Sequence, residues 1–318
     1  VSGTRKALAG ALAGAGLLLV AGAGLAAAAP VVPLVSGTAH EALFAVSTFG
    51  NAGVAVGAAG AILESGDAGK TWKAVMPAPT PLSLLGVSVR QGHALAVGQM
   101  GTVLVMDEAG KWAKADAGTT NRLFGVSVNA GGEAVAVGAF GTVLRSADGG
   151  KTWASIAPDW NGYAENGEQP HLYDVDVDDK GVITLCGEFG LILRSGDAGK
   201  TWKTLHKGDA SLFAMEVTDG GGYAVGQNGA VLHSTDHGSS WSEVKVGTGA
   251  ILLGVHSADG KVLITGMHDM LLSRDNGQNW THLSSEEINT TWYQGTGGGG
   301  GQPLLAVGHA GQIVRVAD

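Results

Sequence analysis

Ser65-Gly66-Asp67-Ala68-Gly69-Lys70-Thr71-Trp72 is one of several near-copies of a single turn in this 318-residue chain. The same acidic turn ending in tryptophan recurs as Ser146 to Trp153, Ser195 to Trp202, Ser234 to Trp241 and Ser273 to Trp280. A shorter copy runs from Met106 to Trp112, with Glu108 read in the place of the aspartate. Self-similarity at a fixed period decides architecture before any local propensity does. A second mark confirms the period: apolar runs end in Gly57, Gly98, Gly138, Gly187, Gly226, Gly266 and Gly308, spaced 41, 40, 49, 39, 40 and 42 residues apart. That makes seven units, with an insertion in the fourth.

One unit reads as four strands. Leu123 to Val128 alternates (strand a), Ala134 to Gly138 follows (b), Ala139-Phe140 turns through Gly141 into Thr142 to Ser146 (c), and the acidic turn feeds Thr152 to Ile156 (d). Short apolar runs joined by Gly-containing loops are consecutive hairpins. Four strands in each of seven units predict an all-β, seven-bladed β-propeller, whose radial repetition protects strand edges. The last unit supplies a at Thr291 to Gly295, b at Leu304 to Gly308 and c at Gln312 to Val316, and then stops. Val31-Val32-Pro33-Leu34-Val35 is expected to close the ring as its outer strand, where proline is tolerated. In the acidic turns Asp67, Asp148, Asp197, Asp236 and Asp275 (and Glu108) accept backbone N–H groups. Trp72, Trp112, Trp153, Trp202, Trp241 and Trp280 pack between sheets.

Composition agrees. The chain holds 54 glycines without a Gly-X-Y period, and 45% of its residues are hydrophobic, as many tight hairpins require. Residues 1–28 differ: Arg5 and Lys6 precede an Ala/Gly/Leu-rich run ending in Ala26-Ala27-Ala28-Ala29-Pro30. This pattern predicts an export signal cleaved near Ala28; the run from Ala7 to Ala29 is also long enough for an uncleaved anchor. Residues 29–318 form the propeller and carry 17 Lys+Arg against 28 Asp+Glu. Such an acidic domain is a poor nucleic-acid binder, because phosphate contacts need clustered bases. Cys186 is alone, sits in an apolar strand and is read as a small core residue.

Several chemical motifs fail on inspection. Gly69-Lys70-Thr71 lacks the upstream glycine of a phosphate loop and enters a strand. Asp174-Val175-Asp176-Val177-Asp178 starts like a calcium loop but has Asp179 and Leu185 where glycine and glutamate belong. It is strand a of blade four, with its acidic face near the channel. Arg145, Arg194 and Arg315 repeat one position of strand c and do not converge as a sialidase's arginines would. His171, His268 and His309, with Glu188 and Asp269, could meet near the channel mouth, but their spacing argues for a polar rim rather than a metal. No cofactor, metal or catalytic residue is expected.

What varies between blades carries the functional signal. The b–c turns share one end of the propeller with the d–a loops, opposite the acidic turns. There the sequence places Gln99, Met100, Phe140, Glu188, Phe189, His268 and His309, and the insertion Asp159 to His171 adds Trp160, Tyr163, Glu165 and Glu168. Aromatic and methionine side chains at turn tips suggest a protein-binding surface. The turn Gly266-Met267-His268-Asp269 lacks the second glycine of the other hairpins and should be irregular.

Acidic turns of this kind resemble the Asp-boxes of sialidases and related propellers. Together with seven Ala-Val-Gly-type hairpins and an export signal, they are similar to the photosystem II stability/assembly factor family, over residues 31–318. The resemblance implies a non-enzymatic, monomeric propeller in the periplasm, or in the thylakoid lumen of a photosynthetic organism. It further implies a membrane protein complex as partner, with no membrane insertion once the signal is removed. Relatives in non-photosynthetic bacteria are exported beside RND-type exporters, and with no Cys after its signal this chain looks closer to them. The alternative is a carbohydrate-active Asp-box propeller enzyme.

Overall fold

Each repeated unit forms one antiparallel four-stranded sheet, and seven such sheets stand around a central channel. The structure is a computed structural model and describes residues 30–163 and 167–317. The predicted signal segment and Glu165 lie outside the described residues. Blade three shows the plan, with Leu123–Val128 innermost (a), then Ala134–Gly138 (b), Val143–Ser146 (c) and Ala154–Ser155 (d). The outer strand is shorter than its sequence suggests, because Trp153 belongs to the turn rather than the ladder.

Closure follows the expected route. Val31–Val35 lies antiparallel to Ile313–Val316, with Val31 opposite Val316 and Val35 opposite Ile313, and so forms the outer strand of blade seven. Strands a and b of that blade are Tyr293–Gly297 and Leu305–Gly308. Its first strand starts two residues later than predicted. A short helix, Glu286–Thr290, capped by the Ser285 hydroxyl, takes up the preceding chain.

The acidic turns explain why the tryptophans recur. In blade three the Ser146 hydroxyl accepts from Gly150 N (2.9 Å) and donates to Asp148, whose other contacts are Thr152 N (2.9 Å) and Thr152 Oγ1 (2.6 Å). These hydrogen bonds hold the carboxyls of Asp67, Asp148, Asp197 and Asp236 down at about 2. Two successive left-handed residues shape the loop, such as Ala68 and Gly69. In the short copy the acceptor is Asp107, which takes Ala109 N and Lys111 N, while Glu108 is exposed. The expected role of Glu108 is thus corrected: removing one residue shifts the carboxylate that can reach the turn. The six tryptophans join six different apolar clusters between successive blades. At the seventh, between blades six and seven, Val31 of the closing strand packs instead.

The glycine that ends each strand b has its own cause. A Cβ there would strike the carbonyl just before strand a: Ala42 O at Gly57, Arg122 O at Gly138, Trp292 O at Gly308, and likewise in the other four blades. That carbonyl accepts from the residue after the glycine, as in Ala139 N to Arg122 O (2.8 Å), which ties every d–a loop to its own hairpin.

Candidate functional site

The site is built from the loops where strands a begin and strands b end, called here the hairpin end. All seven strands a carry a register break at their second residue. Such bulges re-aim a side chain. The residues concerned are Phe44, Leu85, Phe124, Tyr173, Phe213, Leu253 and Gln294, and they line a mouth cavity of about 270 Å³ at one end of the channel. Four are aromatic. Tyr173 meets Phe213 at 5.0 Å and Phe124 at 5.4 Å between ring centres, within the range where edge-to-face contact is favourable. Burial, with the Glu188 charge beside it, pushes the Tyr173 phenol up to about 12, so it stays neutral.

Around this mouth stand the hairpin tips. Ala59, Met100, Phe140, Phe189, Asn228, His268 and Ala310 hold the same turn position, all with φ between 52° and 60°. Phe140 is 60% exposed, Phe189 49% and Met100 63%. The described residues of the insertion leave both phenylalanines about half exposed, with His171 packing against Phe140. His171 connects tip to mouth: its Nδ1 accepts from Phe140 N, and its ring lies edge-on to Phe140 at 5.2 Å and near Phe124 and Tyr173. Ile251, Met267 and Met76 are further exposed apolar residues in the loops of this end. Among the described residues, six of the seven large apolar side chains that are exposed lie at this end, the other being Phe49.

Some residues read as partner contacts have other work. Trp160 is 5% exposed, packs in the core between blades three and four, and donates Nε1–H to Gly141 O; it is removed from the surface by its own burial. Tyr163 is half-buried and donates to Trp202 O. Gln99 and Glu188 accept from Ser83 N and His171 N, latching d–a loops. His309 lies edge-on to Trp292, which stacks on Phe44. His268 is exposed, in a hairpin that is irregular as expected, with Met267 bridged to Trp292. Of the residues read as partner contacts, Phe140, Phe189, Met100 and His268 are exposed at the tips. The bulge ring is absent from the sequence-based expectations, although its signal is there: the second residue of strand a is large in every unit.

Beyond the mouth the channel opens to about 1040 Å³. Asp174, Asp176 and Asp178 line it while Val175 and Val177 point into the blade core, as the alternation predicted. Asp174 accepts from Met215 N and Val175 N. Burial, reinforced by Glu216 and the neighbouring aspartates, raises Asp176 to about 7. Glu216 pairs with His256 at 2.9 Å; burial works against the imidazolium, but Glu216 and the Gly298 carbonyl raise its pKa on balance. Arg145 pairs with Glu133, and Arg194 donates to His237 O, so neither reaches towards a shared anion. Among the described residues no group of three His, Cys, Asp or Glu is arranged to hold a metal, and Cys186 is buried.

Residues 157–313 match the family described as photosynthesis system II assembly factor YCF48. Two solved structures of that name share the fold. One, titled as YCF48 bound to D1 peptide, has a TM-score of 0.68 and 17% identity over 91% of this chain and 94% of that one. YCF48 from Cyanidioschyzon merolae has a TM-score of 0.69 and 17% identity over 91% and 98%. A GH74 xyloglucanase from Xanthomonas campestris also matches, with a TM-score of 0.69 and 15% identity over 90% of this chain but 53% of that one. No curated protein matches. The similarity to the photosystem II assembly factor family read from the repeats is thereby shown.

Proposed function

We propose that this chain, similar to the YCF48 family in the sequence of its second half and in its seven blades, is a non-enzymatic assembly or accessory factor that binds a membrane protein. The hairpin end is the binding surface. One observation carries the reading: exposed Met100, Phe140 and Phe189 stand at tips around an aromatic mouth, while the opposite end repeats one hydrogen-bonded turn almost blade by blade. A rigid scaffold with variable loops at one end is where recognition is usually placed. The D1 peptide bound by a YCF48 of the same fold supports a protein segment as ligand. The partner's docking segment lies on the exported side, in the periplasm or the thylakoid lumen, and in a non-photosynthetic cell an RND-type exporter is the favoured complex. The xyloglucanase likeness rests on the fold alone.

Photo-crosslinking tests the face. A crosslinking amino acid at position 140 or 189, in protein returned to its native membranes, should capture an integral membrane protein. The same group at exposed Lys151 or Lys200 should not. Capture from the lysine positions alone would overturn the assignment.

A further inference from the structure

The hairpin end of the propeller is acidic. Among the described loop residues of the hairpin end there are nine Asp/Glu, against three Lys/Arg: Arg122, Lys207 and Lys245. The described loops of the Asp-box end carry an equal excess, twelve Asp/Glu against six Lys/Arg, but six of those aspartates are held in the hydrogen bonds of their own turns. Six hairpin-end carboxylates are exposed: Glu41, Asp116, Asp159, Glu168, Asp209 and Glu286. Two of them lie in loops tied to the phenylalanine tips. Asp209 belongs to the loop that bonds back to Phe189 through Gly208 N, and Glu168 belongs to the insertion that leads into His171. The channel wall presents Asp174, Asp176 and Glu216, the last paired with His256, and it also carries Arg90, Lys180 and Arg194.

From this charge complementarity we propose that the hairpin end takes a basic, apolar-anchored polypeptide segment: large apolar side chains against Met100, Phe140 and Phe189, with Lys or Arg between them facing the carboxylate rim. The inference rests on the hairpin end being the binding surface and adds the chemistry of what it binds. The mouth, lined by Phe44, Phe124, Tyr173 and Phe213 with Arg122 among them, suits the apolar side chains of the same occupant rather than its charges. An acidic segment would bring like charges to a partly desolvated rim, which electrostatic complementarity disfavours.

Three synthetic peptides with one Leu/Phe pattern, carrying Lys, Gln or Glu between the apolar positions, separate the claims. Binding to the full chain is read by calorimetry or fluorescence anisotropy at low and high salt. The Lys peptide should bind at least about tenfold tighter than the Glu peptide at low salt, and the gap should narrow as salt screens it. Glu168→Lys with Asp209→Lys, two exposed residues that make no side-chain hydrogen bond in the structure, should reduce or invert this preference. Equal binding of all three peptides, lost in Phe140→Asn/Phe189→Asn, would overturn the charge proposal and leave the apolar surface standing. Binding of none, or binding indifferent to the Phe changes, would overturn both.

Discussion

Phenylalanine at a left-handed turn position is unfavourable twice. A residue bearing a Cβ with φ near +55° costs roughly 1–2 kcal/mol relative to its ordinary conformation, and Phe140 and Phe189 also leave their rings in water. Blade five puts Asn228 at the equivalent position, a residue that tolerates this conformation. The fold therefore does not require phenylalanine there, which accords with the proposed role in recognition. Asp176 is a second group kept against local preference. No hydrogen bond holds its carboxylate, and burial beside Glu216 raises its pKa from 3.8 to about 7. Its unfolded form loses the proton near pH 4, whereas the native form keeps it until about 7. The stabilising contribution is full below pH 4 and is lost as pH rises through 7. Asp176→Asn should therefore raise Tm at pH 8, by about 2–4 °C or more, and change it little at pH 4. An equal shift at both pH values would show that the carboxylate is not the cause.

The closing strand and the acidic turns are elements whose roles are legible in the sequence, because each depends on local chemistry. Pro33 fits an outermost strand, and the missing fourth strand of the last unit requires a donor. Trp160 is harder to place. An aromatic residue in a loop insertion reads as surface, and only the apolar cluster between blades three and four shows that it is core. The bulge ring is similar: register breaks depend on how neighbouring blades pack, which alternation along one strand does not report. Loss of residues 30–37 should expose the edge of Ile313–Val316 and remove Val31 from the apolar cluster between blades six and seven. A cost of roughly 3 kcal/mol or more follows from burying one side chain fully and two in part, and an open edge should promote association. Denaturant titration and light scattering read both effects. A truncated chain that is equally stable and monomeric would contradict closure by this strand.

As a whole the molecule is a rigid ring with unlike ends. The Asp-box end repeats one turn, in which the tryptophans seal successive blades; the hairpin end differs in every blade and gathers most of the exposed apolar surface. Period and blade count are legible in the sequence because each unit repeats its chemistry. The binding end is legible there only as a contrast between repeated and unrepeated loops. Individual residues such as Gln99 and Glu188 therefore read as partner contacts, whereas their hydrogen bonds make them loop latches. The central claim is that this end, and not the other, engages the partner. It is tested most directly by isolating the membrane protein complex with wild-type chain, with Phe140→Asn/Phe189→Asn and with Lys151→Ser/Lys200→Ser, alongside the Tm of each. The phenylalanine pair should keep or raise Tm and lower the yield of complex by about tenfold or more, as expected if they are hot-spot residues, while the lysine pair keeps full yield. Undiminished yield from the phenylalanine variant, or loss of the complex in the lysine variant, would contradict the account.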